Sequence, residues 1–157
     1  MSTPKIGLCH GKGFVSALIR WQTRGDFSHA LILYEDGQTI IESWQGAGVR
    51  EKKLGDETGI TWFDVTATPE QWAQAVAFAK LQLGHKYDWF GVVGFISRGR
   101  MPDNEAWFCS ELVFASLEAA GVKLFERIEA WAVSPSLLAI SPLVKPLLVA
   151  TSAVTPL

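Results

Sequence analysis

The spacing of apolar residues changes several times along the chain, and each change marks an element. Lys5–His10 reads as a short strand that Gly11 and Gly13 break. Phe14–Thr23 carries apolar residues at Phe14, Leu18 and Trp21, the i, i+4, i+7 spacing of a helix. Arg24-Gly25-Asp26 reads as a turn. His29–Glu35 and Gln38–Trp44 are β-rich runs flanking Asp36-Gly37, which predicts a hairpin with a two-residue type I′ turn. Gly46 and Gly48 end its second strand. Val49–Gly59 is polar and reads as a loop, and Ile60–Val65 as a further strand.

Thr68-Pro69-Glu70-Gln71 is a helix start, with Thr68 as N-cap, Pro69 at N1 and Gln71 closing a capping box. Trp72, Val76, Ala79 and Leu83 then recur at helical spacing until Gly84. Tyr87–Ser97 is apolar and is expected to form a short helix, followed by a loop over Gly99–Asn104. Cys109–Ala120 reads as a helix ended by Gly121, with Leu112, Phe114, Ala115 and Leu117 on its buried side. From Val133 onward Lys145 is the only charge, and Leu147–Thr151 is expected to form a closing strand. Several strands and about three helices without βαβ alternation predict an α+β fold. With no repeat or linker, residues 1–157 are expected to be one domain.

Composition narrows the function classes. The 14 basic and 16 acidic residues leave a formal charge of −2, without the basic excess expected of a protein that coats nucleic acid or an anionic membrane. An apolar share of 48% and a charged share of 19% exclude a disordered chain. Two cysteines cannot build a disulfide framework. The first residues lack the pattern of a secretory signal, and no uninterrupted apolar run is long enough to span a membrane. A cytoplasmic protein is therefore expected.

His10, His29 and His85 show no metal-ligand spacing, and no Cys cluster accompanies them. No Walker loop, GxGxxG or GxSxG occurs, so neither a metal nor a cofactor is expected. A thiol and an imidazole remain. Cys109 lies where an irregular segment turns into a helix, and the positive end of a helix favours a thiolate. A buried, inert cysteine is the plainer reading. His29 opens a strand and is either a satisfied core histidine or a base. Cys9 and His10 are neighbours on a strand, so they point to opposite faces and cannot work as a pair. His85, just past a helix end, suits the capping of carbonyls.

The hairpin bears on Glu42. An Asp36-Gly37 turn pairs Leu33 with Ile40, Leu31 with Glu42, and His29 with Trp44. Cross-strand partners share a face, so His29, Leu31, Glu42 and Trp44 project from one side, with Glu42 diagonal to His29. A carboxylate there can accept a ring N–H, fix the tautomer and leave the other nitrogen for a thiol proton. The alternative is a solvated face with an exposed Glu42. A slip of one residue in the turn would move Glu42 to the other face.

These motifs resemble a known family. Ser28-His29 opening a strand, Glu42-Ser43 on the next, Gly48-Val49, Gly84-His-Lys-Tyr87-Asp88, Cys109-Ser-Glu-Leu-Val113 and Ser134-Pro135-Ser-Leu-Leu138 occur in that order. In this the chain resembles the circularly permuted papain-like proteins. These are the YiiX-like branch of the NlpC-type cell-wall peptidase superfamily, related to lecithin:retinol acyltransferase-like proteins. The resemblance spans about residues 15–145. It implies a papain-like fold, an antiparallel sheet or partial barrel against about three helices. It also implies Cys109 as nucleophile, His29 as general base and acid, Glu42 as orienting residue, and Tyr87 lining the pocket.

The expected function is that of a cysteine hydrolase that cleaves an amide bond through a thioester, on a small peptide, a peptidoglycan fragment or a lipid-like substrate. Trp44 and Trp107, with Trp21 nearby, suit either a sugar-peptide or a lipid. The same triad would serve an acyltransferase or a lipid ester or thioester hydrolase. A non-catalytic binding module on this fold is the reading from another class.

Overall fold

A computed structural model describes residues 3–11, 14–55, 59–89 and 106–147. In chain order the elements are β1 (Lys5–Cys9), α1 (Phe14–Thr23), β2 (His29–Leu33), β3 (Thr39–Trp44), β4 (Gly48–Lys53), β5 (Ile60–Val65) and α2 (Pro69–Leu81). After them come β6 (Lys86–Tyr87), β7 (Ala106–Trp107), α3 (Cys109–Ala119), a 3-10 turn (Ala130–Ala132), α4 (Pro135–Leu138) and β8 (Val144–Pro146). Six strands form one antiparallel sheet in the order β4-β3-β2-β1-β5-β8. β6 and β7 pair in parallel as a separate two-stranded ribbon. The fold is mixed α+β.

Strand parity builds the core. Ala30 and Ile32 of β2 and Tyr34 just after it, with Ile6, Leu8, Ile41, Phe63 and Val65, pack against Trp72, Val76 and Ala79 of α2 and Leu112, Phe114 and Leu117 of α3. Each Val, Leu, Ile or Phe among them, taken fully out of water, contributes ~1.5–3 kcal/mol. The opposite face carries a smaller cluster of Leu31, Leu33 and Ile40, bordered by Cys9, Ile60 and Trp62. His29 and Glu42 share that face by parity. The capping box predicted at Thr68 and Gln71 is present at the start of α2.

The hairpin keeps its expected register but not its expected turn. Ile32 pairs with Ile41 and Leu33 with Ile40. The closing bonds run from Tyr34 N–H to Thr39 O at 2.7 Å and from Gly37 N–H to Tyr34 O at 3.0 Å. Of the central residues only Gly37 has positive φ, at 67°, whereas a type I′ turn needs two. The Asp36 carboxylate accepts from the Thr39 hydroxyl and from the Gln38 and Thr39 N–H groups, which lowers its pKa and stabilises the wider loop. Because the loop widens by one residue on each side, the face assignment survives.

Of the expected loop over Val49–Gly59, residues 56–58 lie outside the described residues, and the first part, through Lys53, is strand β4. Its polar residues belong to an edge strand, where charges are the rule, and they bond to neighbouring side chains rather than to water alone. Tyr34 Oη donates to Glu51 at 2.7 Å, and Lys53 reaches Asp36 at 3.2 Å. The closing strand falls earlier than expected, with Pro146 opposite Phe63 on an edge where a missing N–H is tolerated. The expected loop over Gly99–Asn104, most of the expected helix over Tyr87–Ser97, and all but Leu147 of the expected strand Leu147–Thr151 lie outside the described residues.

Gly48 joins the sheet to the β6 segment. It has φ 71°, and a Cβ there would stand 2.1 Å from the His85 carbonyl oxygen. Val49 N–H donates to that same oxygen at 2.8 Å, and Gly84 N–H returns a bond to Val49 O at 2.9 Å. Gly48→Ala should cost about 2 kcal/mol or more from left-handed strain plus the backbone clash. Urea unfolding checks this, and an unchanged midpoint would contradict the close approach.

Candidate active site

Three elements carry the site. β2 begins with His29, β3 holds Glu42 on the same face, and α3 begins with Cys109. Ser28 fixes the entry to β2, because its hydroxyl accepts from Gly11 N–H at 2.9 Å and its own N–H bonds Cys9 O at 2.9 Å. Cys9 lies opposite His29 in the β1–β2 register, while the His10 ring packs on Phe27 at 4.8 Å.

His29 Nε2 and Glu42 Oε2 are 2.6 Å apart. Glu42 is 2% exposed and His29 is 9% exposed, so this contact is shielded from water. The other Glu42 oxygen, Oε1, accepts from Arg50 Nε at 3.0 Å and Nη2 at 2.7 Å, and Lys52 Nζ stands 3.9 Å away. A solvated Glu42 is therefore excluded. Nε2 is engaged by Glu42, which leaves Nδ1 as the free ring nitrogen, and Cys109 acts on the same ring.

Burial favours the neutral imidazole, but the hydrogen bonds from Cys109 and Glu42, and the charge on each, outweigh it and raise the His29 pKa to about 9. Burial likewise opposes ionisation of Glu42, yet His29 and Arg50 hold its carboxyl below the usual range. The arrangement suits an imidazolium held between a carboxylate and a sulfur.

Cys109 is the first residue of α3 and 1% exposed. The N-cap, Phe108, contributes no side-chain acceptor, and Glu111 reaches back to the Phe108 N–H at 3.3 Å. The positive end of the helix thus lies at the sulfur. Two buried serines hold this helix start in place. Ser43, next to Glu42, donates to Trp107 O at 2.6 Å, and Ser110 donates to Val133 O. The sulfur packs with Ile19, Phe108 and Tyr87. Burial, then the charges of Cys109 and Asp88, push the Tyr87 phenol well above its usual value, which keeps it a proton donor.

Of the tryptophans named from sequence, Trp44 meets the site. Its ring stands edge-on to His29 at 5.1 Å, and the Arg50 guanidinium lies over it at 5.1 Å. Trp107 is engaged elsewhere, donating to Gln82 and His85 and standing edge-on to Phe78. The His85 ring thus receives the Trp107 indole N–H at 3.2 Å, a partner that its position past the helix end did not suggest. Trp21 is exposed. Sequence reasoning missed Arg50 and Trp89, which contacts Tyr87 at 5.0 Å. A turn over Gly46 and Gly48 would have placed Arg50 opposite Glu42, the observed pairing.

No protein-family model matches the chain, and no curated protein matches it. Among solved structures, the chain is similar to the crystal structure of the metalloprotein YiiX from Escherichia coli O157:H7. The TM-score is 0.71 at 18% identity, covering 92% of this chain and 95% of that one. This likeness concerns the fold. Among the described residues, no helix is long and apolar enough to cross a membrane.

His29 generates a stability prediction. Its pKa is about 9 in the folded chain against 6.5 as the ordinary value. The folded state binds this proton more tightly, so the stabilisation is fully present below pH 6.5 and is lost as pH rises through about 9. Urea unfolding should show this decline, and His29→Gln should lack it. Equal slopes in the two proteins would contradict the assignment.

Proposed function

We propose that the chain is a cysteine-dependent hydrolase of the circularly permuted papain-like kind, cleaving an amide bond in a small peptide or peptidoglycan fragment. The observation that carries this reading is the buried His29–Glu42 contact at 2.6 Å, with Cys109 at the head of α3 acting on the same imidazole. A base held by a third group and touching a nucleophile is the general pattern of covalent catalysis. The likeness in fold to YiiX is consistent with it.

In this mechanism the Cys109 sulfur, having passed its proton to His29, attacks the carbonyl carbon of the amide. The tetrahedral oxyanion meets the N–H groups at the start of α3. The C–N bond breaks as His29 protonates the leaving amine, leaving a thioester. Water, deprotonated by His29, attacks the thioester, releasing the acid and restoring the thiol. Glu42 holds the ring and balances its charge, and Trp44 and Tyr87 flank the reacting atoms.

YiiX is a metalloprotein, which raises the question of whether the donors here suit a metal. Among the described residues, no three His, Cys, Asp or Glu side chains gather to hold an ion. Glu42 Oε1 is already bonded by a guanidinium, whose charge opposes a metal cation. The residues do not fit a metal, and no step runs through one.

Incubation with a muropeptide and, separately, with a diacyl lipid tests the reading. Mass spectrometry should detect free amine and acid from the muropeptide. Cys109→Ala should show no turnover, and Glu42→Ala should lose about 10²-fold or more while keeping measurable activity, the scale of acid–base assistance. Equal activity in Cys109→Ala and the unsubstituted protein would end the proposal. Lipid cleavage or acyl transfer through Cys109 would move the substrate class, and turnover of neither substrate would favour a binding module.

A further inference from the structure

We propose that Arg50 is a fourth member of the site, a positioning residue that shares the charge of Glu42 with His29. It thereby sets the pH range over which His29 holds its proton. The inference deepens the reading of Cys109 and His29 as the reactive pair and rests on it.

The geometry is that of a closed ring. Glu42 presents one oxygen to His29 at 2.6 Å and the other to two nitrogens of Arg50 at 3.0 and 2.7 Å. The guanidinium lies over the Trp44 ring, and the same ring stands edge-on to the imidazole. Arg50 thus touches both groups that contact His29 on its far side. The carboxylate is 2% exposed, whereas the Arg50 side chain is 34% exposed and opens to solvent at the sheet edge. An exposed ion pair would matter little, but here one partner is buried and charge-assisted, so water does not screen it as it would a surface pair.

The sign of the effect follows from charge alone. A cation beside a group lowers the pKa of that group, because it disfavours the protonated, more positive form. Arg50 therefore tempers the pull of Glu42 on the imidazolium. With Glu42 alone, His29 would hold its proton more tightly and would give it less readily to a leaving amine. Other charged or titratable groups also face this centre. Lys52 on β4 stands 3.9 Å from Glu42. Cys9 lies opposite His29 on β1, Cys109 acts on it from α3, and Tyr87 lies under the charges of both Cys109 and Asp88. Of the three β4 cations, Lys53 turns to Asp36 and Lys52 stands 3.9 Å from Glu42, while Arg50 bonds the carboxylate through two nitrogens.

The test is an NMR titration of the His29 ring in the substrate-free protein. The unsubstituted protein should titrate near pH 9. Arg50→Met should raise the midpoint by about one unit, a tenfold change in proton affinity. Arg50→Lys, which keeps a cation, should return it towards the unsubstituted value. Arg50→Gln keeps an N–H donor for Glu42 without charge, and it should show the same rise if the Met variant fails to fold. A purely structural role for Arg50 predicts the opposite, because a released Glu42 would let the midpoint fall. A fall or an unmoved midpoint in the folded Met or Gln variant overturns the proposal. No substrate is involved, so this outcome is separable from the hydrolase reading. Hydrolysis through Cys109 with an unmoved midpoint would refute Arg50 alone, and a rise without hydrolysis would refute the reaction alone.

Discussion

A carboxylate taken out of water must be matched by donors, and Glu42 is where this sheet makes that commitment. Its two oxygens bridge the His29 imidazole and the Arg50 guanidinium, three side chains from three adjacent strands. Removing one partner from such a group costs more than the bond itself, because the remaining charge is left buried. The carboxylate therefore ties the local arrangement of β2, β3 and β4 to one charge state. The orientation of His29 and the ring nitrogen left free follow from it, and together with Cys109 it raises the imidazole pKa.

The fold brings the sulfur to that centre by a second set of constraints. Ser43 and Glu42 are adjacent on β3 and so point to opposite faces. One orients the imidazole, while the other bonds the backbone two residues before Cys109. Ser110 fastens the first turn of α3 to the segment before α4. Gly48 permits the close approach of the chain that leads into Tyr87. The start of α3, with Cys109, is thus located against the hairpin by backbone-level contacts, the precision that the proposed reaction requires.

Much of this was readable in the residues. The alternation of the hairpin placed His29, Glu42 and Trp44 on one face. That result did not depend on the exact turn, because a symmetric widening leaves the register unchanged. The capping box at Thr68 and the helix beginning at Cys109 were local signals that tertiary packing did not override. The rest failed for identifiable reasons. β4 was hidden because an edge strand carries charged residues whose partners lie on other strands, and a polar run taken alone looks like a loop. Missing that strand also hid Arg50. Trp107 precedes Cys109 by two residues and suits a substrate-facing aromatic from sequence, yet its indole is engaged by Gln82, His85 and Phe78. Nearness in sequence says nothing about which way a side chain points.

Competitive labelling of the two thiols addresses the central claim most directly. The folded protein would be treated at about pH 6 with limiting iodoacetamide, which reacts with thiolate and barely with thiol. Peptide mass spectrometry would then score each cysteine. If the imidazole and its carboxylate activate the sulfur at the head of α3, Cys109 carries the label well ahead of Cys9, despite being the more buried of the two. Preferential labelling of Cys9, or equal slow labelling of both, would contradict the account.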